Sequence, residues 1–350
     1  MPSEPPMTNL PAMPIDRPPY LDVAGYAGTE HTLTALPGLS GVRHRFDAPS
    51  LHAINAALAA ERPLLVRGEP GTGKSQLARA AAFLLGRAFV WRVVDAQTQV
   101  SDLFYSFDAV ERLAQAQVAG ANRGPGAGSI TALLEERNFV RPGPLWWAFN
   151  AADAHTQERR YASRCGADTS AELQAPDAGR GHVVLIDEID KTDSSVPNGL
   201  LEALGQGTFT VPRGLVSLPE AGPAPLVVIT TNEERELPSA FVRRCMVLHI
   251  KVPKSREELV EWLVVRGRTH FRGELDETLL IEAADMVFDD REAAQARGLP
   301  PPGQAEYLDL LRAVKKLRHT KADRSALLLT LREFALKKHP EMHESAGKQR

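Results

Sequence analysis

Five apolar runs punctuate the chain: Leu64 to Arg67, Ala88 to Val94, Val183 to Ile186, Leu226 to Thr230 and Met246 to Val252. They are short, rich in Val, Ile and Leu, and scarcely alternate with polar residues, the pattern of strands covered on both faces. Other stretches space their apolar residues for helices. Ala48 to Ala60 carries Leu51, Ile54, Ala57 and Leu58, with Ser50 as the expected N-cap, and Gln76 to Gly86 carries Leu77, Ala80, Ala81, Leu84 and Leu85. Strands alternating with helices predict a parallel sheet wound on both sides. Past Pro253 the strands cease, and Arg256 to Thr269, Asp276 to Phe288 and Glu306 to Arg318 all read as helices. The expected architecture is α/β, a doubly wound five-stranded parallel sheet followed by an all-helical lid domain.

The boundaries follow from composition. Residues 1–36 hold Pro2, Pro5, Pro6, Pro11, Pro14, Pro18 and Pro19 and are expected to be a flexible leader. Residues 37–253 form the α/β core, with an insert over about 100–180; residues 254–335 form the lid and 336–350 a charged tail. Within the insert, Ala151 to Arg180 is polar and rich in small residues, and reads as an insertion or mobile loop.

Bulk properties narrow the function classes. Hydrophobic content of 43% and charged content of 24% suit an ordinary globular protein. No stretch approaches the roughly 18 uncharged apolar residues of a membrane span, and the leader lacks the apolar core of a signal peptide, so a cytoplasmic protein is expected. Cys165 and Cys245 form neither a disulfide framework nor a zinc pattern. A net charge of −3 disfavours a protein that coats nucleic acid through bulk electrostatics.

The chemistry begins between the first strand and the helix after it. Gly68, Glu69, Pro70, Gly71, Thr72, Gly73, Lys74 and Ser75 spell GxxxxGK[ST], with Gln76 next. Glycines let backbone N–H groups close around a polyphosphate, and the following helix adds its positive dipole end. Lys74 would reach the β- and γ-phosphates, and the Ser75 hydroxyl would ligate Mg2+. The third strand delivers Asp187 and Glu188, one acid for the metal's hydration shell and one to orient attacking water. Asn232 ends the fourth strand, where ligands sit in open α/β sheets. Arg243 and Arg244 are open to two roles: salt bridging at a domain or subunit surface, or an arginine finger reaching a neighbour's nucleotide.

Together, GEPGTGKS, HVVLIDEIDK, VVITTN and SAFVRR followed by a helical lid resemble the AAA+ ATPases, and specifically the MoxR family, over about Leu36 to Leu317. Phe139 to Leu145 (FVRPGPL) is similar to the RPGPL element of the helix-2-insert clade, and Asp187 to Thr210 to its DEINRA-and-LLEAM segment. The resemblance implies an ATP- and Mg2+-dependent ATPase working as a homo-oligomeric ring, a hexamer by family habit, with Arg244 as the finger ahead of Arg243. It also implies chaperone-like remodelling of a protein client, in the family often alongside a von Willebrand factor A-domain protein. Two other readings belong to different classes: a nucleic-acid-linked or restriction-type NTPase subunit, and an assembly switch with little turnover. The phosphate loop does not read the base, so ATP versus GTP is left open.

The sequence departs from the family in places. Its lid commonly places a sensor 2 arginine where this chain has Pro302, Gly303, Gln304, Ala305 and Glu306; Arg312 lies two turns further on. Lys191 replaces the arginine of DEINR. Adjacent Trp146 and Trp147 cannot both face one core from a helix; the pair reads either as an exposed contact for a substrate or neighbouring subunit or, in preference, as wedged between core and insert. Asp102 to Gln117, with Phe104, Tyr105 and Phe107, is a candidate for substrate engagement or a packed helix. The basic run Arg312, Lys315, Lys316, Arg318, His319, Lys321 and Arg324, with Lys337, Lys338 and His339, reads as a solvated helix face.

Overall fold

The computed structural model describes residues 20–36, 39–121, 130–165, 180–212, 214–217, 223–317 and 321–342. A short helix α1 (Val23–Tyr26) precedes a hairpin of β1 (Glu30–Leu33) and β2 (Val42–Arg45), then α2 (Ala48–Ala60), β3 (Leu64–Gly68), α3 (Lys74–Leu85) and β4 (Ala88–Val93). The insert supplies α4 (Val100–Phe104), β5 (Tyr105–Phe107), α5 (Ala109–Ala121), α6 (Ile130–Leu133), β6 (Val140–Pro142), α7 (Pro144–Phe149) and α8 (Ala151–Cys165). The core resumes with β7 (His182–Asp187), α9 (Ser195–Gln206), the hairpin β8 (Thr208–Val211) and β9 (Gly214–Ser217), β10 (Leu226–Thr231), α10 (Ser239–Val242) and β11 (Met246–Ile250). Four helices follow: α11 (Arg256–Phe271), α12 (Glu277–Ala296), α13 (Gln304–Leu317) and α14 (Lys321–Ala335).

The main sheet is five-stranded and parallel, in the order β11-β3-β10-β7-β4. Its apolar runs feed two cores because successive side chains point to opposite faces. Leu64, Val66, Val183, Leu185, Leu226 and Val228 pack against α2 and α3. Leu65, Val184, Ile186, Val227 and Ile229 pack against α7 and α9. A third core of Leu263, Leu279, Val287, Tyr307, Leu311 and Val314 holds the C-terminal helices together. Asp290, almost fully buried, receives both Nε and Nη2 of Arg332 at 2.7 and 2.8 Å, which locks α14 to α12.

Register sets where chemistry can occur. Thr231 of β10 pairs with Arg67 of β3, so Asn232 emerges beside Gly68 at the carboxyl edge of the sheet. Val93 pairs with Asp187 one strand further along that edge.

Several expectations are corrected. The leader does not run to residue 36. Residues 1–19 lie outside the described residues, but β1 pairs with β2, and Leu21 and Leu33 are buried in the core against α2 and α3. Proline composition marks only the first nineteen positions, and Leu33 is anchored by pairing that the sequence does not display. The N-cap of α2 is Asp47, whose side chain accepts the Ser50 N–H at 2.8 Å; Ser50 itself lies within the helix.

Ala151 to Cys165 is a helix, not a loop; residues 166–179 of that stretch lie outside the described residues. Helix α8 buries polar groups. Gln157 donates to the carbonyls of Arg137 and Val140, and the buried Glu158 meets Arg141 at 3.0 Å, so an apolar stripe is absent by construction. Trp146 and Trp147 are both buried, which is the wedged arrangement and not an exposed contact. The sheet covers α7 on one side and the insert on the other; Trp146 packs on Phe209 and donates to Asp153, while Trp147 meets the His155 ring edge-on.

The stretch Asp102 to Gln117 is divided. Phe104 stacks on Phe209 in the core, while Val110 and Leu113 of α5 are exposed. Much of the basic run is ion-paired: Arg312 with Asp309, Lys315 with Glu274, Lys337 with Glu333 and Lys338 with Glu306. Arg318, His319 and the Lys321 side chain lie outside the described residues, as do residues 343–350 of the tail. No described helix is long and apolar enough to cross a membrane.

His182 opens β7 at 5% exposure, and burial, with Arg87 and His155 nearby, pushes its pKa from 6.5 down to about 4. Its folded value lies below its unfolded one, so the stability tied to the neutral ring is intact above pH 6.5 and is lost as pH falls toward 4. Across that window the wild type should lose on the order of 2 kcal/mol more than His182→Gln in chemical denaturation. Equal slopes for the two proteins would contradict this.

Candidate functional site

The loop between β3 and α3 is built around glycines that no other residue could replace. Gly71 lies at φ 73°, and a Cβ there would stand 2.6 Å from the Ala305 Cβ. A Cβ on Gly68 would stand 2.6 Å from the Ile250 carbonyl oxygen. The chain therefore passes between β11 and the start of α13 too closely to carry side chains at these two positions.

Lys74 is only 6% exposed. Its ammonium donates to the carbonyls of Gly68 and Glu69, both at 2.8 Å, and to Asn232 Oδ1 at 2.7 Å, which satisfies all three donors. Burial lowers its pKa, opposed by the charges of Asp187, Asp190, Glu188 and Glu233.

Ser75, 112 positions before Asp187, donates its hydroxyl to that carboxylate at 2.8 and 2.9 Å. Thr230 on β10 also donates to Asp187 and accepts the Glu188 N–H at 2.9 Å. Glu188 adopts φ 64°, a left-handed conformation uncommon for a side chain other than glycine and concentrated at functional sites. That turn directs its carboxylate to Lys191 Nζ at 2.7 Å and Asn232 Nδ2 at 3.3 Å. Asp190, 2% exposed, accepts the backbone N–H groups of Asn232 and Glu234 at 3.2 and 2.9 Å and so fixes the end of β10.

These groups open onto a cleft of about 710 Å³. The glycine loop, Asp187, Glu188 and Asn232 form one wall; the β2 residues and Phe46 and Asp47 form another, and Trp262, Arg266, Gln304, Ala305 and Arg312 of the C-terminal helices close it. The volume suits a nucleotide. So does the donor set. The side-chain oxygen of Gln76 is buried without a partner among the described residues, and the loop is a cradle that Cβ atoms would fill. No cluster of three or more His, Cys, Asp or Glu able to hold a metal occurs among the described residues. One hydroxyl and one carboxylate are instead the sparse protein ligation that Mg2+ accepts, completing its shell with water and phosphate oxygens.

A sequence profile of the AAA domain (dynein-related subfamily) matches residues 63–245, more than half of this 350-residue chain. The chain belongs to that AAA family. The match spans every element that supplies the glycine loop, the acidic pair and Asn232, and the family implies nucleotide binding, typically with Mg2+. A search of curated protein sequences finds no match. Among solved structures, a presumed ATPase of Cytophaga hutchinsonii shares 16% identity over 80% of this chain and 78% of its own, with a TM-score of 0.34. A RuvB variant of Thermotoga maritima shares 15% identity over 82% and 76%, with a TM-score of 0.36. Neither adds to the assignment.

Within this AAA domain, most of the sequence-derived residues line the cleft; Gly68, Glu69, Arg243 and Arg244 do not. Arg243 and Arg244 follow α10 on the exposed surface; their side chains make no hydrogen bond or ion pair with the described residues and do not line the cleft. Glu69 turns outward to Arg291 of α12 at 2.5 Å, while Thr72 folds back onto the Glu69 carbonyl at 2.9 Å.

Sequence reading passed over Thr230, Asp190, Arg266 and Arg291. Thr230 and Asp190 lie inside the quoted motifs and had no distinguishing signal except position. Arg266 and Arg291 are lone cations on helices, and only the folded lid brings Arg266 into the cleft and Arg291 to the loop.

Arg291 is almost wholly buried and also donates to the Pro302 carbonyl at 3.1 Å, so its pair with Glu69 ties the lid to the phosphate loop. Glu69 remains partly exposed, which moderates the strength of the pair. A double-mutant cycle of Glu69→Gln and Arg291→Gln, read by chemical denaturation, should give a coupling of about 1 kcal/mol. Strict additivity would remove the tie.

Proposed function

We propose that this AAA chain is a MoxR-type ATPase that hydrolyses ATP with Mg2+ in a ring of like subunits and uses the cycle to remodel or activate a protein client. The observation that carries the reading is the meeting of Lys74, Ser75, Asp187, Glu188 and Asn232 at one sheet edge, from three separate strands.

Each side chain has a task its surroundings suit. Lys74, already desolvated and held by neutral oxygens, exchanges those acceptors for phosphate oxygens and steadies the charge that develops on them. Ser75 and Asp187 would hold Mg2+, which would neutralise the charge of the phosphates. Glu188 accepts a proton from, or orients, the attacking water, and Asn232 fixes that carboxylate from the side. In the resting arrangement Lys191 pairs with Glu188, so engagement of water requires the carboxylate to share or leave that contact.

Arg243 and Arg244 stand away from their own cleft without partners among the described residues, which supports a role toward a neighbouring subunit. The von Willebrand factor A-domain partner implied by the resemblance, and the hexameric size, belong to this proposal as well. A nucleotide-controlled assembly switch is the second reading, favoured by Gln304 and Ala305 at the start of α13 where the family commonly has an arginine. Pairing of the lid's cations with acids disfavours the nucleic-acid reading.

Steady-state ATP hydrolysis decides between the two. The wild type should turn over, and Lys74→Ala and Glu188→Gln should each lose at least about a hundredfold, Glu188→Gln while still binding ATP. Doping wild type with Arg244→Ala subunits should depress turnover more than in proportion to their fraction. Retained turnover in Glu188→Gln contradicts the mechanism; proportional dilution contradicts the shared arginine; a wild type that binds ATP, assembles and does not turn over is the switch.

A further inference from the structure

Arg266 sits on α11 inside the nucleotide cleft, and its surroundings are unusual for a lid arginine. Arg256, Arg268, Arg291, Arg312 and Arg332 each pair with a carboxylate. Arg266 pairs with none among the described residues. Its guanidinium lies over the Trp262 ring, 3.5 Å from the centroid; Nε donates to Gln304 Oε1 at 2.6 Å, and Nη1 to the Trp262 carbonyl at 3.1 Å. Both hydrogen-bond partners are neutral. The facing charges are mixed: Asp47 favours the cation, Arg45 opposes it, and Asp47 already spends Oδ1 on the Ser50 N–H. Burial pulls the pKa of Arg266 down to about 10, the mark of a cation short of compensation.

A half-buried guanidinium held in a fixed pose without a counter-charge is costly unless an anion arrives. The pose leads to the phosphate loop. Gln304, which holds Nε, reaches to within 3.9 Å of where a Cβ on Gly73 would lie, and Ala305 packs against Gly71. The start of α13 thus offers no cation of its own; it presents Gln304, which orients a cation from α11.

We infer that Arg266 binds the phosphate chain of the nucleotide, supplying from α11 the lid cation that the start of α13 lacks. The inference rests on the nucleotide reading of the cleft given above. Arg266 then gains its missing counter-charge only when nucleotide is present, and lid and phosphate loop are joined through the ligand in addition to the Arg291–Glu69 pair.

Equilibrium calorimetry on the full chain tests this with Mg·ATP, Mg·ADP and, by competition, adenosine. Arg266→Gln should bind the phosphate-bearing ligands about ten- to hundredfold more weakly, a loss suited to one charge-assisted contact, and adenosine within about twofold of wild type. Unchanged nucleotide affinity would overturn the inference. So would an equal loss for adenosine, which would make Arg266 a base-side or structural residue. Should Arg266→Gln fail to fold, Arg266→Met, which keeps the stem against Trp262, reads the same difference. If the wild type binds none of the three ligands, it is the reading of the cleft that fails.

Discussion

A buried ammonium organises the carboxyl edge of the main sheet. Lys74 has been withdrawn from water, and a cation in that position is tolerable only because three oxygens converge on it. Two belong to the glycine loop and the third to Asn232 at the end of a different strand. The same contacts that satisfy the charge therefore set the distance between β3 and the tip of β10. Around that fixed point Thr230 joins Asp187 to the Glu188 backbone, and Asp190 clamps the turn after β10. The acidic pair is positioned by the same strand that supplies a ligand to the lysine.

The lid completes what the sheet edge begins. Its core is separate from the two cores of the α/β unit, yet Arg291 reaches the loop, and Arg266 lines the same cleft. Arg291 is matched by Glu69 and ties the lid to the loop. Arg266 pairs with no carboxylate among the described residues and is held by Gln304 and Trp262. The first hairpin adds a further fastening, with Thr269 of α11 donating to Glu30 of β1 at 2.6 Å.

Much of this was legible in the sequence because the strands are buried on both faces and so read as uninterrupted apolar runs. The five expected strands are those of the parallel sheet, and the residues singled out at their carboxyl ends, Lys74, Ser75, Asp187, Glu188 and Asn232, converge. What was not legible shares a cause. The α8 helix is held by Gln157 and Glu158 bonding to backbone and arginine, Trp146 and Trp147 are covered from opposite sides, and β1 is fixed by pairing with β2. Each depends on partners distant in space, which hydrophobic periodicity does not encode. Arg266 and Arg291 escaped notice for the same reason: nothing local distinguishes them from the lid's other arginines.

In the proposed cycle Ser75 and Asp187 would form one half of a metal site whose other half comes with the nucleotide. The most direct measurement is calorimetric ATP affinity with and without Mg2+, for the wild type and for Asp187→Asn. Magnesium should tighten binding to the wild type at least about tenfold, and Asp187→Asn should lose most of that gain while keeping its metal-free affinity. A wild type indifferent to magnesium, or an Asp187→Asn protein with the full gain, would contradict the account.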